Sequence, residues 1–143
     1  MNPPSAIERE VQRLRALVAQ RRFAEVLAAA TTLSHQVPEN RDVLYLQALA
    51  HRMLGDTASA LVVLAALEQL HPRFSRLYQE RGQCYVALKQ AGEAIAAFEQ
   101  AVGTNPSLPV SWSMLAGLYR MTGRAADASL AAERLAEIGR AHV

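Results

Sequence analysis

Three prolines, Pro38, Pro72 and Pro106, stand 34 residues apart, and each closes a stretch whose apolar residues recur at helical spacing. A fixed period of this size means that one supersecondary unit is used several times, each copy covering its neighbour's apolar face. Other columns keep the same register. Ala60, Ala94 and Ala128 form a ladder preceded by Val26, and Ala48, Gly82 and Ala116 form another preceded by Leu14. Leu17, His51, Tyr85 and Tyr119 make a third, and Ala30, Leu64, Phe98 and Ala132 a fourth. Four units follow, residues 7–40, 41–74, 75–108 and 109–142, with no spacer, so residues 1–143 are expected to form one domain.

Each unit reads as two amphipathic helices. In the third, Tyr78, Arg81, Gly82, Tyr85 and Leu88 recur at steps of three and four residues, and Ala94, Phe98 and Ala101 do so again after a short break. Gly55 and Gly123 fall at the break, where a left-handed residue ends a helix at no steric cost, and Asp56 follows as an N-cap. Arg21 and Lys89 hold the equivalent places, where the same conformation costs about 1 kcal/mol. The first and third turns are therefore expected to differ in detail. Ser5 with Glu8 makes a capping box, which sets the expected start of the folded region.

The small-residue ladders predict close helix crossings. Gly82 lets a partner helix approach with Ala94 opposite, and enlarging either would overpack the crossing by roughly 1–3 kcal/mol. The aromatic stretch NPSLPVSWSMLAGLYRMTG at 105–123 fits this scheme. Trp112, Leu115, Ala116 and Tyr119 share one face, in the columns of Tyr78, Arg81, Gly82 and Tyr85, so packing explains them better than a pocket for a ring-shaped ligand.

Composition narrows the function classes. A chain of 143 residues buries enough surface to fold without metals or disulfides, and much of its 51% apolar content is alanine, the best helix former. One cysteine, Cys84, lies among apolar positions and reads as a small buried hydrophobe. The start, MNPPSAIEREVQRLR, lacks the apolar core of an export signal, and a cytoplasmic location is expected. The longest apolar run, ALVVLAAL at 60–67, is far short of the roughly 20 residues that span a membrane. Fifteen basic and thirteen acidic residues are intermixed without a basic stripe, which speaks against nucleic acid as a partner. His35, His51, His71 and His142 have no metal-ligand spacing and no triad-like neighbours, and no glycine-rich phosphate loop is present. His51, in the column of Tyr85 and Tyr119, is expected to be a partly buried packing residue. Neither catalysis nor a cofactor is expected.

The fourth unit, through Trp112, Leu115, Ala116, Tyr119, Gly123 and Ala128, and the third, through Tyr78, Gly82, Tyr85, Ala94, Phe98, Ala101 and Pro106, resemble the tetratricopeptide repeat (TPR). Ala48, Gly55, Ala60 and Pro72 extend the resemblance to the second unit. The first is degenerate, with Glu10 and Arg13 at usually apolar positions and Val26, Leu33 and Pro38 holding the frame. More narrowly, residues 78–123 resemble the N-terminal repeats of bacterial proteins that join TPRs to a sulfotransferase, although no phosphosulfate-binding loop occurs. Heavy alanine and arginine usage suits a bacterial source with a GC-rich genome.

The resemblance implies an all-α, right-handed superhelical solenoid of antiparallel helix pairs, eight helices in four TPR units. It also implies a scaffold that holds a protein or peptide segment in a concave groove lined by the first helix of each unit. Carried over by register, the groove holds Arg15, Tyr45, Leu49, Arg52, Arg76, Gln79, Gln83, Ser113 and Arg120, together with Val11 and Gly117. The arginines there are forked donors suited to carboxylates, which points to an acidic segment; the same side chains also fit a merely solvated face. The lysine and asparagine pattern of chaperone-tail binders is missing, its places being taken by Val11, Arg15, Leu46, Arg76 and Glu80. The second functional reading is a regulatory or positioning arm of a larger enzyme such as a sulfotransferase. On the last helix, Ala128, Ala131, Leu135 and Ile138 make an apolar strip that a second copy, a separate partner or a fused neighbour would cover.

Overall fold

The computed structural model describes residues 5–141. His142, and with it the last position of the fourth repeat, lies outside them, as do Pro3 and Pro4. The described residues form helices joined by short connections and divide after Pro72 into two compact units. The first unit contains α1 (Ala6–Ala19), α2 (Phe23–Gln36), α3 (Arg41–Met53) and α4 (Thr57–Leu70). The second contains α5 (Ser75–Ala87), α6 (Ala91–Thr104), α7 (Pro109–Met121) and α8 (Ala125–Ala141). The period survives into the helix starts: Arg41, Ser75 and Pro109 open α3, α5 and α7, while Phe23, Thr57, Ala91 and Ala125 open α2, α4, α6 and α8. The chain is thus an all-α helical repeat.

The four turns inside the hairpins are alike. Arg21, Gly55, Lys89 and Gly123 all have positive φ, at 60°, 87°, 59° and 78°. In each, the next amide donates back five residues and the left-handed residue donates back three, as in Arg22 N to Leu17 O (3.0 Å) and Arg21 N to Val18 O (2.9 Å). The expectation that the first and third turns differ is overturned. The paired hydrogen bonds hold Arg21 and Lys89 left-handed despite the steric cost of a Cβ there. Between hairpins, Val37, His71 and Asn105 leave the helical region, each standing directly before a proline whose ring disfavours helical backbone at the preceding residue.

Caps sharpen some helix starts. Ser5 and Glu8 make the expected capping box on α1, Asn40 accepts from the amides of Asp42 and Val43, and Asp56 accepts from that of Ser59. In the first unit, Val11, Leu14, Leu17, Val26, Ala30, Leu33, Val43, Leu46 and Ala50 form the core. In the second, the core holds Ala94, Ile95, Phe98, Leu115, Ala116, Leu118, Tyr119, Ala128 and Ala131. A methyl group added to Gly82 would come within 2.7 Å of the Phe98 ring. The close approach expected at Gly82 is real, but the side chain filling the slot is Phe98 and not Ala94. Cys84 is buried, as its apolar neighbours implied.

Candidate functional site

The groove residues expected from the register fall on the first helices of the two units, and each unit shows its own face. In the first, Arg15 projects from α1 into solvent with its guanidinium 3.3 Å from Asp42 Oδ1 of α3, which also lies 3.6 Å from Arg41 Nε. Tyr45, packed against the core, is half-buried on α3, as are Leu49 and Arg52. Val11 is 5% exposed and belongs to the core. The degenerate α1 turns Glu10 and Arg13 outward instead, paired at 2.6 Å, and the Arg13 hydrogen bond holds the Glu10 carboxyl below its ordinary pKa.

In the second unit Arg76 is exposed at the start of α5, and Gln79 and Gln83 are half-buried along it. Gln79 Oε1 accepts a 2.7 Å hydrogen bond from Ser111 Oγ of α7. Ser111 is fully buried, so this bond satisfies a hydroxyl that would otherwise be stranded in the core. Ser113 and Arg120 are exposed on α7, with Gly117 half-buried between them. In each unit one polar contact joins successive first helices, the solvent-exposed Arg15–Asp42 pair in the first and the hydrogen bond from buried Ser111 to Gln79 in the second. Neither was expected. Ser111 carries a signal, since it stands 34 residues after Leu77 and 68 after Val43, a polar residue at a position that is apolar and fully buried in the second and third repeats.

Charge is sorted by helix type. Helices α1, α3, α5 and α7 each carry a net charge of +1; in α5, for example, Arg76 and Arg81 outweigh Glu80. Helices α2, α4 and α8 each carry −1, and α6, with Glu93 and Glu99, carries −2. The mixing seen along the sequence is therefore alternation between basic first helices and acidic second helices.

The aromatic cluster divides. Leu115, Ala116 and Tyr119 are core residues. The Tyr119 hydroxyl donates to Glu99 Oε2 at 2.9 Å, and the Arg124 guanidinium lies 4.5 Å from the ring centre. Burial, reinforced by Glu99, pushes the Tyr119 pKa up to about 12. Trp112 is only half-buried: its indole N–H donates to Pro106 O at 2.8 Å, and the ring borders a depression of about 430 Å³ with Arg134, Glu137 and Ile138. On α8 the expected apolar strip is narrower than its sequence suggested. Ala128 and Ala131 are 4% and 1% exposed and pack in the core, because the hairpin turns their face onto α7. Leu135 and Ile138 are half-buried, and Leu130, which sequence reasoning missed, is 47% exposed. His51 is half-buried, with Nδ1 3.9 Å from Asp56 Oδ2. Among the described residues no cluster of three or more metal-ligating side chains occurs, and no helix is long and apolar enough to cross a membrane.

Known proteins agree with the architecture. Family profiles for the tetratricopeptide repeat match residues 42–73 and 75–108. Among solved structures, a thermophilic TPR protein of Thermus thermophilus, TTC0263, is 25% identical with a TM-score of 0.82, over 91% of this chain and 72% of that one. MamA from Desulfovibrio magneticus RS-1 is 19% identical with a TM-score of 0.76, over 92% and 75%. The first TPR domain of human RPAP3 is 18% identical with a TM-score of 0.74, over 82% and 93%. Comparison with curated proteins gives no match. The chain therefore contains tetratricopeptide repeats, a kind of repeat that generally mediates protein–protein interaction.

Proposed function

We propose that the four repeats, 7–40, 41–74, 75–108 and 109–142, act as one non-catalytic scaffold in a bacterial cytoplasm. The scaffold binds an acidic protein or peptide segment on its first-helix faces. The observation that carries this reading is the sorting of charge, +1 on each first helix against −1 or −2 on each second helix. A negatively charged segment is steered to the first-helix faces, which bear Arg15 and Arg52 in the first unit and Arg76 and Arg120 in the second, and away from the acidic second helices. Tyr45 and Leu49 supply apolar contact, and Gln79, Gln83 and Ser113 supply hydrogen-bonding groups. A micromolar affinity, about 8 kcal/mol, suits such a face.

The test is a titration of a fluorescent glutamate-rich amphipathic peptide against the chain and its Arg52→Glu, Arg76→Glu variant. Binding should weaken at least ~10-fold in the variant, consistent with the cost of opposing like charges. Unchanged binding refutes the surface. The alternative, a positioning arm of a larger enzyme such as a sulfotransferase, draws only on the sequence resemblance of residues 78–123.

A further inference from the structure

In the second unit α7 packs on α6, where Ile95 and Phe98 are 6% and 0% exposed. Thirty-four residues later, α8 presents Ser129 and Ala132 at those register positions, and both are exposed, as are Glu133, Ala136 and Glu137 beside them. A mirror-image gap exists on α1. Leu115 and Leu118, which α7 buries at 0% and 7%, correspond three repeats earlier to Arg13 and Ala16, both exposed, and the buried Ser111 corresponds to exposed Arg9. The last helix therefore shows a small-residue face, carrying Glu133, Glu137 and Arg140 at a net charge of −1, where the register places a following first helix. The first helix shows a long-chained, basic face where the register places a preceding second helix.

These two faces complement each other in size and in charge. Arginine stems can lie across alanine-sized surface while their guanidinium groups reach carboxylates at its edge. Two of these side chains have local partners: Arg13 pairs with Glu10 at 2.6 Å and Glu137 with Arg134 at 3.2 Å, both exposed i,i+3 pairs that are cheap to exchange. We propose that a second copy of this chain docks head to tail, α1 of one copy on α8 of the next, continuing the repeat register between molecules. Such a contact is heterologous, so every added copy leaves one α1 and one α8 unpaired and association is open-ended.

The test is sedimentation velocity of the full chain over a rising concentration series, beside two variants, Arg9→Glu, Arg13→Glu and Glu133→Arg, Glu137→Arg, whose helicity is checked by circular dichroism. The parent should grow in mass past the dimer. Each variant alone, now opposing like charges, should remain monomeric at concentrations about 10-fold above those at which the parent associates. Mixing the two variants should restore growth, because each then offers the other a complementary face. A parent that stays monomeric, a closed dimer, variants that associate like the parent, or a mixture that stays monomeric would each overturn the proposal.

Discussion

Gly82 and Phe98 set the tightest fit in the second unit. Phe98 is fully buried, and its three tip carbons lie 2.7 Å from where a Cβ on Gly82 would stand, closer than non-bonded carbons tolerate. The ring can yield only by disturbing the core that holds it. Gly82→Ala should destabilise the protein by about 1–3 kcal/mol, read as a lower urea midpoint with helicity retained in the native baseline. Lys89 presents the opposite case, since its φ of 59° is a conformation glycine adopts freely and its side chain is exposed. Relief of roughly 1–2 kcal/mol of strain, less the ~0.5–1 kcal/mol entropy cost of glycine, makes Lys89→Gly stabilising by about 0.5–1 kcal/mol. The same change at Arg21 should gain less, because its guanidinium lies 5.4 Å from the Phe23 ring centre and that contact would be lost.

Helix pairs are joined by more than apolar packing. Tyr119 of α7 reaches Glu99 of α6, and burial favours its neutral form, so its pKa rises from 10.0 to about 12 on folding. The sign follows directly: between those values the unfolded chain releases the phenolic proton while the folded chain keeps it. The stability this group contributes is fully present below about pH 10 and is lost as pH climbs through the interval to about 12. Thermal midpoints of the wild type should therefore fall more steeply across that interval than those of Tyr119→Phe, and equal slopes would show that the phenol is not protected. Prolines end the second helices by restricting the residue before them, and the left-handed residue ends the first helices through a pair of backbone hydrogen bonds. These devices were legible beforehand because they act within a few residues of chain. The one misjudged, the left-handed conformation of Arg21 and Lys89, was misjudged because side-chain preference was weighed without the hydrogen bonds that override it.

At the scale of the whole molecule, alternation of basic first helices with acidic second helices gives the proposed function its clearest physical consequence. Exposed arginines act on an approaching segment through solvent, where charges are screened beyond about 8 Å at ~0.15 M salt. Raising ionic strength from ~0.05 to ~0.5 M should weaken binding of the glutamate-rich peptide mainly through a slower association rate, measured by stopped flow. A rate indifferent to salt would locate the binding energy in apolar contact instead. The sequence by itself determined the helical repeat: a 34-residue register of prolines, glycines and alanines is a one-dimensional pattern, and hairpin folding depends on residues close along the chain. Tertiary structure alone decided which side chains meet across that register, because such meetings join residues 16 to 32 positions apart. It placed Phe98 against Gly82, Ser111 under Gln79, Ala131 in the core and Trp112 half in solvent. No spacing rule reads such pairings, since each depends on how two helix surfaces interlock once they are packed.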